Sequence, residues 1–195
     1  MLSHKKSLDI LKKTNALLEG HFILSSGLHS SKYIQCAKLL SYPHKAELIC
    51  KSLAKKIKIN FKNIDLILAP AMGGVIVGYE IGKILKKETI FCERVNGKFV
   101  LRRGFKIKKN ARVLIIEDVI TTGKSSMECV KLIKRYKARL VGFASIIDRS
   151  TKKSLKIKTK IISHLKIDVP TFRKNKLPIE LSSIKITTPG SRFIK

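Results

Sequence analysis

The sequence predicts an α/β protein with a doubly wound, mostly parallel sheet and a small additional subdomain. Between residues 65 and 147, short apolar runs alternate with segments that have helical spacing. Such runs are typical of parallel strands buried on both faces, and their alternation with helices predicts βαβ units with right-handed crossovers. The two ends of the chain do not continue this alternation. We therefore expect one domain, 1–195, with a core at 43–150 and a hood over the sheet built from 1–42 and 151–195.

The N-terminal segment predicts one helix and two short strands. Apolar residues recur at helical spacing over 7–19, so we expect an amphipathic helix there that ends at Gly20. The run HFIL then predicts a strand, followed by a turn at 25–27 and a second strand around Tyr33.

The central region predicts four strands and three helices, and the C-terminal segment predicts one strand. Apolar runs of four to nine residues predict the central strands at 65–69, 89–93, 112–116 and 139–147. Longer segments of helical spacing predict helices at 43–58, 75–85 and 125–136. After residue 150 only ISHLKIDV, residues 162–169, has the pattern of a strand.

The size of the chain fits an ordinary domain, but its charge balance is unusual. A length of 195 residues with 44% hydrophobic residues is enough to form a core. The chain has 42 Lys and Arg against 13 Asp and Glu, which gives a formal charge of +29. This excess indicates either an enzyme with a lysine-rich solvated surface or attraction to polyanions, such as nucleic acid or phosphorylated small molecules.

Cysteine spacing and hydropathy indicate the cellular compartment. The four cysteines are far apart, with no Cys-x-x-Cys pair and no Cys/His cluster. This spacing argues against a zinc site and against a disulfide framework, so we expect free thiols in a reducing cytoplasm. No apolar stretch is long enough to span a bilayer, and the first residues lack the apolar region of a secretory signal. We therefore expect a cytoplasmic protein without a membrane partner.

The strongest functional signal is the segment RVLIIEDVITTGKSS, residues 112–126. A predicted strand leads into Glu117 and Asp118, the only adjacent acidic residues in the chain, and Thr-Thr-Gly-Lys-Ser then leads into a helix. A turn of this composition directs backbone N–H groups, hydroxyls and a helix N-terminus to one point, which suits a phosphate monoester. The two carboxylates beside it can accept hydrogen bonds from the hydroxyls of a sugar.

Three interpretations of this segment compete. An ordinary βα loop would use the two acids to cap the next helix. A nucleotide-binding P-loop is suggested by Gly123, Lys124 and Ser125, but it needs a glycine five positions before Gly123, where this chain has Asp118. A sugar-phosphate site accounts for both the acids and the turn, so the segment favours it over the other two.

The same segment resembles the phosphoribosyl diphosphate signature of type I phosphoribosyltransferases, which has four apolar residues, two acids, two apolar residues and Thr-Thr-Gly. The segment GHFILSSGLHSSKYIQC, residues 20–36, resembles the N-terminal element of the orotate phosphoribosyltransferases in that family. Further segments are similar to other parts of these enzymes: their diphosphate loop (66–78), their mobile catalytic loop (91–105), their base-contacting arginine (147–150) and two late motifs (168–172 and 188–192). The resemblance covers nearly the whole chain and implies the type I phosphoribosyltransferase fold.

The resemblance implies transfer of a 5-phosphoribosyl group from phosphoribosyl diphosphate to orotate, in de novo pyrimidine (UMP) biosynthesis. The catalytic residues that it implies are Asp118, Glu117 and Lys98. The implied phosphoribosyl diphosphate site comprises Arg94, Lys98, Glu117, Asp118, Val119, Ile120, Thr121, Thr122, Gly123, Lys124 and Ser125. The implied orotate site comprises Thr121, Arg149, Ser25, Ser26 and Gly27.

The resemblance also implies a cofactor and an assembly. Mg²⁺ is expected to bridge the diphosphate and hydroxyls of the substrate, with no direct protein ligand. Catalysis is then electrostatic and positional, and no covalent enzyme nucleophile is needed. The implied assembly is a homodimer in which the loop at 94–103 reaches the active site of the neighbouring subunit.

The chain departs from better-known members of another subclass at three positions. Ser25 and Gly73 stand where those enzymes carry Lys, and Val100 stands where they carry His. Other residues of this chain must therefore supply the positive charge that those Lys and His side chains provide. Arg94 and Lys98 match the loop positions of the family, whereas the candidates Arg102 and Arg103 are suggested by proximity alone. The same loop also fits a solvated basic hairpin, a common feature in a chain with this much positive charge.

Two other functions remain open from the sequence. An RNA-binding regulator of the same fold would fit the positive charge, but only 6% of residues are aromatic and no interleaving of basic and aromatic residues is visible. Nucleic acid is therefore not an expected partner. A purine phosphoribosyltransferase would share the phosphate loop, but the resemblance of residues 20–36 argues against it.

Overall fold

A computed structural model of the chain describes residues 1–24, 26–151, 154–155 and 157–189. The helices in these residues are α1 (His4–Lys13), α2 (Cys36–Leu40), α3 (Pro43–Asn60), α4 (Gly73–Leu85), α5 (Lys124–Arg135) and α6 (Ile179–Ser182). The strands are β1 (Leu17–Ile23), β2 (His29–Ile34), β3 (Leu66–Pro70), β4 (Glu88–Val95), β5 (Lys98–Val100), β6 (Arg112–Ile120), β7 (Arg139–Asp148), β8 (Ile161–Lys166), β9 (Thr171–Phe172) and β10 (Ile186–Thr187). No helix in the described ranges is both long and apolar enough to cross a membrane.

The chain divides into two compact units. The first comprises Met1–Leu2 and His44–Ile167, and the second comprises Ser3–Pro43 and the chain from Asp168 onward. The C-terminal boundary therefore lies later than the predicted boundary after residue 150. The physical reason is β8, which pairs in parallel with β7 as an edge strand of the larger sheet and so stays in the first unit.

The first unit is built on a six-stranded sheet with the order β5-β4-β3-β6-β7-β8. Every neighbouring pair is parallel except β4 and β5, which form an antiparallel hairpin. All five residues of β3 are buried, as expected of a central parallel strand. The predicted α/β class with a mostly parallel sheet is confirmed. The parallel strands end at one edge of the sheet, which is where ligands bind in such folds.

The second unit contains a four-stranded sheet with the order β10-β1-β2-β9. β1 and β2 form an antiparallel hairpin, β10 pairs in parallel with β1, and β9 pairs antiparallel with β2. Both ends of the chain thus contribute strands to one sheet.

The predicted helix over 7–19 is wrong in its second half. Helix α1 ends at Lys13, where the Thr14 hydroxyl donates a 2.8 Å hydrogen bond to the Ile10 carbonyl and Asn15 turns to a φ of 55°. The next residues pair with β2, so β1 begins at Leu17 and Gly20 lies inside this strand instead of ending a helix. The apolar residues after Lys13 continue the helical spacing of α1, but in the structure they are the buried residues of β1 and the turn before it.

Candidate active site

The candidate site lies where β6 ends and α5 begins. Residues 113–116 of β6 are fully buried, so they anchor the segment in the sheet. The turn that follows depends on Gly123, whose φ of 72° is in the left-handed region that favours glycine. A Cβ built at Gly123 would also lie 2.6 Å from Cγ1 of Ile157, so a side chain there would displace Ile157. Both constraints make this turn specific for glycine.

The predicted phosphate-binding residues come together around one open cleft of about 120 Å³. Thr121, Thr122 and Lys124 are exposed there, and the Lys124 N–H donates a 3.4 Å hydrogen bond to the Thr122 hydroxyl. The cleft is lined by Glu117, Val119, Ile120, Thr121, Thr122, Gly123, Lys124, Ser125 and Ser126. Hydroxyls, a lysine and the first turn of a 12-residue helix thus face one small space, an arrangement that suits a phosphate group.

Glu117 points toward α5 and is almost completely buried, with 8% of its surface exposed. The Ser126 hydroxyl donates a 2.6 Å hydrogen bond to its Oε1 atom. Burial raises the pKa of Glu117 to about 7, the Ser126 hydrogen bond opposes this rise, and the charge of Asp118 adds to it. Arg94 lies close enough for its charge to lower the pKa of Glu117 slightly. The carboxyl therefore changes its charge near neutral pH.

Asp118 follows Glu117 in the same strand, so its side chain leaves the opposite face of the sheet. It lies against the first residue of α4: a Cβ built at Gly73 would be 2.6 Å from the Asp118 Oδ2 atom. Burial also raises the pKa of Asp118, and the backbone N–H groups of Val119 and Asp118 oppose the rise. The glycine at 73, which the sequence shows only as a departure from a related subclass, thus leaves space for the Asp118 carboxylate.

Arg149 lies directly after β7, beside the end of β6. Its N–H donates a 2.9 Å hydrogen bond to the Ile120 carbonyl, which continues the parallel pairing of Ile120 with Asp148. Thr121 and Arg149 therefore leave neighbouring strands at the same edge of the sheet. The structure brings these two predicted orotate-binding residues together with the phosphate cleft.

The other predicted orotate-binding residues belong to the second unit. Ser26 and Gly27 lie in the turn between β1 and β2, where Gly27 has a φ of 76° and its N–H donates a 2.8 Å hydrogen bond to the Leu24 carbonyl. Ser25 lies outside the described residues, as do positions 190–192 of the late motif at 188–192.

The predicted catalytic loop forms the β4–β5 hairpin and the segment after it. Arg94 forms a 2.7 Å ion pair with Glu128 of α5, and its guanidinium carbon lies 4.2 Å from the ring centre of Phe99. Arg102 and Arg103 each pair with Glu93, at 3.7 Å and 3.4 Å. The segment is thus a hairpin whose arginines are engaged by acidic side chains in this structure.

Lys98 lies in this hairpin but away from the phosphate cleft. Its side chain is exposed, and Lys98 lines a separate groove together with Lys131 and Arg135 of α5. Within its own chain, the described structure therefore does not bring Lys98 to the residues that surround Thr121. Its predicted role in catalysis requires either a rearranged hairpin or the site of another subunit.

Comparison with known proteins agrees with this geometry. The family model described as "Phosphoribosyl transferase domain" matches residues 40–175. An orotate phosphoribosyltransferase of Parvibaculum lavamentivorans is 45% identical over 194 residues, which cover 99% of this chain and 100% of that protein. Another from Caldicellulosiruptor bescii is 45% identical over 185 residues, covering 95% of this chain and 96% of that protein.

Solved structures share the fold at lower identity. The crystal structure of orotate phosphoribosyltransferase from Aeropyrum pernix matches with a TM-score of 0.67 and 21% identity, over 82% of this chain and 92% of that chain. An adenine phosphoribosyltransferase from Leishmania tarentolae matches with a TM-score of 0.62 and 17% identity, over 85% and 89%. Orotate and adenine phosphoribosyltransferases thus share this fold. The relatives that are 45% identical to this chain decide which of the two families it belongs to. This chain belongs to the orotate phosphoribosyltransferase family.

Proposed function

We propose that this protein transfers the 5-phosphoribosyl group of phosphoribosyl diphosphate to orotate, giving orotidine 5′-phosphate and diphosphate in pyrimidine (UMP) biosynthesis. The observation that carries the proposal is the phosphate cleft at 117–126, in a chain 45% identical over its length to named orotate phosphoribosyltransferases. The reaction makes it a glycosyltransferase.

Binding of the sugar phosphate follows from the two parts of the cleft. The exposed hydroxyls of Thr121 and Thr122, Lys124 and the N-terminus of α5 would hold the 5′-phosphate. Glu117 lines the cleft and Asp118 follows it in β6, and their carboxylates would accept hydrogen bonds from the ribose hydroxyls. Positive charge grows on the ribose ring as diphosphate leaves, and two carboxylates held beside the ring stabilise that charge more than the neutral ground state.

Orotate would bind at the edge where β6 and β7 end. The guanidinium of Arg149 suits the carboxylate or a carbonyl oxygen of the base, and Thr121 follows the neighbouring strand at the same level. Holding the base and the sugar phosphate on the ends of two paired strands would align the attacking nitrogen with the anomeric carbon.

The arrangement of acids supports a metal ion that is held mainly by the substrate. Glu117 and Asp118 are adjacent in β6 but leave opposite faces of the sheet, so they do not form a chelating pair. We propose Mg²⁺ as the cofactor, bound to the diphosphate and ribose hydroxyls, where it would neutralise charge on the leaving group.

We further propose a cytoplasmic homodimer in which the loop at 94–103 acts in the neighbouring site. Lys98 is exposed and does not line the phosphate cleft of its own chain, which favours a role in another subunit. Met72 at the N-cap of α4 and Ile76 and Tyr79 within it form an apolar stripe, with exposures of 85%, 53% and 65%, and a stripe of this kind suits a subunit contact. All four cysteines are buried and outside any disulfide, as suits a reducing compartment.

Light scattering tests the dimer. We expect a mass of twice the 22.0 kDa of the chain for the wild type and a shift toward the monomer for Ile76→Glu, because a carboxylate in the stripe would lose its hydration in the contact. A matched substitution on an exposed face of α3, Ile59→Glu, should leave the mass unchanged. A monomeric wild type would contradict the proposal.

The reaction itself is tested by following the absorbance of orotate. We expect orotate to be consumed only when both phosphoribosyl diphosphate and Mg²⁺ are present, and diphosphate to appear in equal amount. Consumption of orotate without phosphoribosyl diphosphate, or none in the complete mixture, would contradict the proposal.

A further inference from the structure

Ser126 is a buried hydroxyl in the first turn of α5 that the resemblance to known enzymes does not assign. We infer that Ser126 is the positioning residue for Glu117: its hydroxyl fixes one carboxylate oxygen, Oε1, so that the other is presented to the ribose. The consequence for catalysis rests on the proposed function, whereas the contact between the two side chains does not.

The geometry of the contact is that of a strong hydrogen bond. The Ser126 Oγ and Glu117 Oε1 atoms are 2.6 Å apart, within the short range of hydroxyl-to-carboxylate bonds. Ser126 is completely buried and Glu117 is 8% exposed, so little water competes for either group. Ser126 is also the third residue of α5, where the N-terminal end of the helix favours negative charge.

The surroundings leave Ser126 as the main neutral partner of the carboxylate. The charged neighbours whose fields reach Glu117 are Asp118 on β6 and Arg94 on β4, and Arg94 is already paired with Glu128. On β7, Ser145 is in register with Glu117, but its side-chain hydroxyl makes no hydrogen bond within the described residues. The Cys129 thiol on α5 lies near enough for Glu117 to raise its pKa, so it stays neutral.

Burial opposes ionisation of Glu117, and the Ser126 hydrogen bond is the largest of the effects that favour it. Without the hydroxyl, the carboxyl would hold its proton to higher pH and would be free to turn toward other partners. Both changes would weaken stabilisation of the cationic ribose ring, because that stabilisation requires a charged carboxylate in a fixed position.

Three variants separate this role from a general effect on the fold. Ser126→Ala removes the hydroxyl, Ser126→Thr keeps it, and Ser52→Ala is the matched control. Ser52 is also a buried helical serine, and its hydroxyl accepts a 3.0 Å hydrogen bond from the Leu2 N–H, but it lies outside the site. Thermal unfolding of all three variants shows that each is folded.

The direct test is a ¹³C NMR titration of the Glu117 side-chain carboxyl in the full chain, assigned by its loss in Glu117→Gln. The wild-type midpoint should lie near 7, and Ser126→Ala should raise it by about one pH unit. Ser126→Thr and Ser52→Ala should titrate like the wild type. A Ser126→Ala curve that superimposes on the wild-type curve, or an equal shift in Ser52→Ala, would overturn the inference.

The kinetic test adds the catalytic consequence. In Ser126→Ala we expect kcat to fall about tenfold at pH 7, with a smaller change in KM for phosphoribosyl diphosphate, and the acid limb of the pH profile to move toward higher pH. A normal kcat would overturn the positioning role. If the wild type itself does not consume orotate, the proposed function fails, and the NMR titration still tests the contact.

Discussion

At the scale of single residues, the site depends on the alternation of side chains along β6. Glu117 meets Ser126 of α5 on one face of the sheet, and Asp118 meets Gly73 of α4 on the other. Glu117 is buried and Asp118 is half-buried, and desolvation raises the pKa of both. The two adjacent acids are therefore positioned by different helices, and of the two Glu117 lines the phosphate cleft.

Removing the charge of Asp118 should lower the rate of catalysis without unfolding the protein. We expect Asp118→Asn to reduce kcat by about 10²–10³, because one preorganised contact to a cationic transition state is lost. Its unfolding midpoint should not fall, since the substitution removes a charge from a half-buried side chain and keeps the shape. Asp9→Asn, an exposed substitution with the same change of charge, is the control. A folded Asp118→Asn enzyme within about threefold of wild type would contradict this mechanism.

Glu117→Gln should make the protein more stable at alkaline pH while lowering its activity. The pKa of Glu117 is raised to about 7 in the folded state, so folding favours its protonated form. The wild type therefore loses stability as the pH rises from about 4.5 through 7, and the glutamine variant does not. The difference in unfolding free energy between variant and wild type should grow by about 2–3 kcal/mol from pH 5 to pH 8 in urea titrations. An equal difference at both pH values would argue against a raised pKa.

The residues of the phosphate loop could be predicted from the sequence, but two neighbours of the acids were missed. Gly73 and Asp118 are in contact although they are 45 positions apart in the sequence, and a local sequence pattern cannot reveal such a contact. Ser126 left a weaker signal: it lies three and four positions before the buried Cys129 and Val130, so it shares their inward helical face. A serine on a buried face indicates a polar partner, and that partner is Glu117.

At the scale of elements, the βαβ units and the strands β1, β2 and β8 were predictable, whereas the boundary between α1 and β1 and the short strands β9 and β10 were not. The apolar runs that became β3, β6 and β7 have no competing interpretation, because each is short, buried and bounded by turns. The start of β1 was mispredicted as part of a helix, because the apolar residues there have a spacing that fits a helix as well as a strand. The strands β9 and β10 have two residues each and depend on pairing with distant segments, so no local pattern reveals them.

The β4–β5 hairpin carries Lys98, and its role is tested by mixing subunits. Lys98→Ala should lower kcat more than it weakens binding of the 5′-phosphate, because the loop is expected to act on the departing diphosphate. If the loop acts in the neighbouring subunit, mixed dimers of Lys98→Ala with Asp118→Asn should recover part of the activity, since one of their two sites is intact. Lys131→Ala, which removes a lysine from the same groove, is the control. No recovery in verified mixed dimers would show that the loop acts within its own subunit.

At the scale of the whole molecule, the formal charge of +29 is the dominant property. Ion pairs with the 13 acidic residues can neutralise only a minority of the 42 Lys and Arg residues, so the surface carries a strong positive field. Both proposed substrates are anions, and a field of this sign raises their concentration near the protein.

Salt should therefore weaken substrate capture more than it slows the chemical step. Between about 50 mM and about 500 mM KCl we expect kcat/KM for phosphoribosyl diphosphate to fall severalfold while kcat changes little, because screening acts on the approach of the anion. A sucrose solution of matched osmolality is the control. A kcat/KM that does not respond to salt would mean that the excess charge has no part in substrate binding.

The choice of base is the central claim, because adenine phosphoribosyltransferases share the fold. It is tested most directly by competition: orotate, adenine and hypoxanthine at equal concentrations, with limiting phosphoribosyl diphosphate and Mg²⁺, and the nucleotide products identified by mass spectrometry. We predict that orotidine 5′-phosphate is the main product and that purine nucleotides form at trace level. A purine nucleotide formed as fast as orotidine 5′-phosphate would contradict the account.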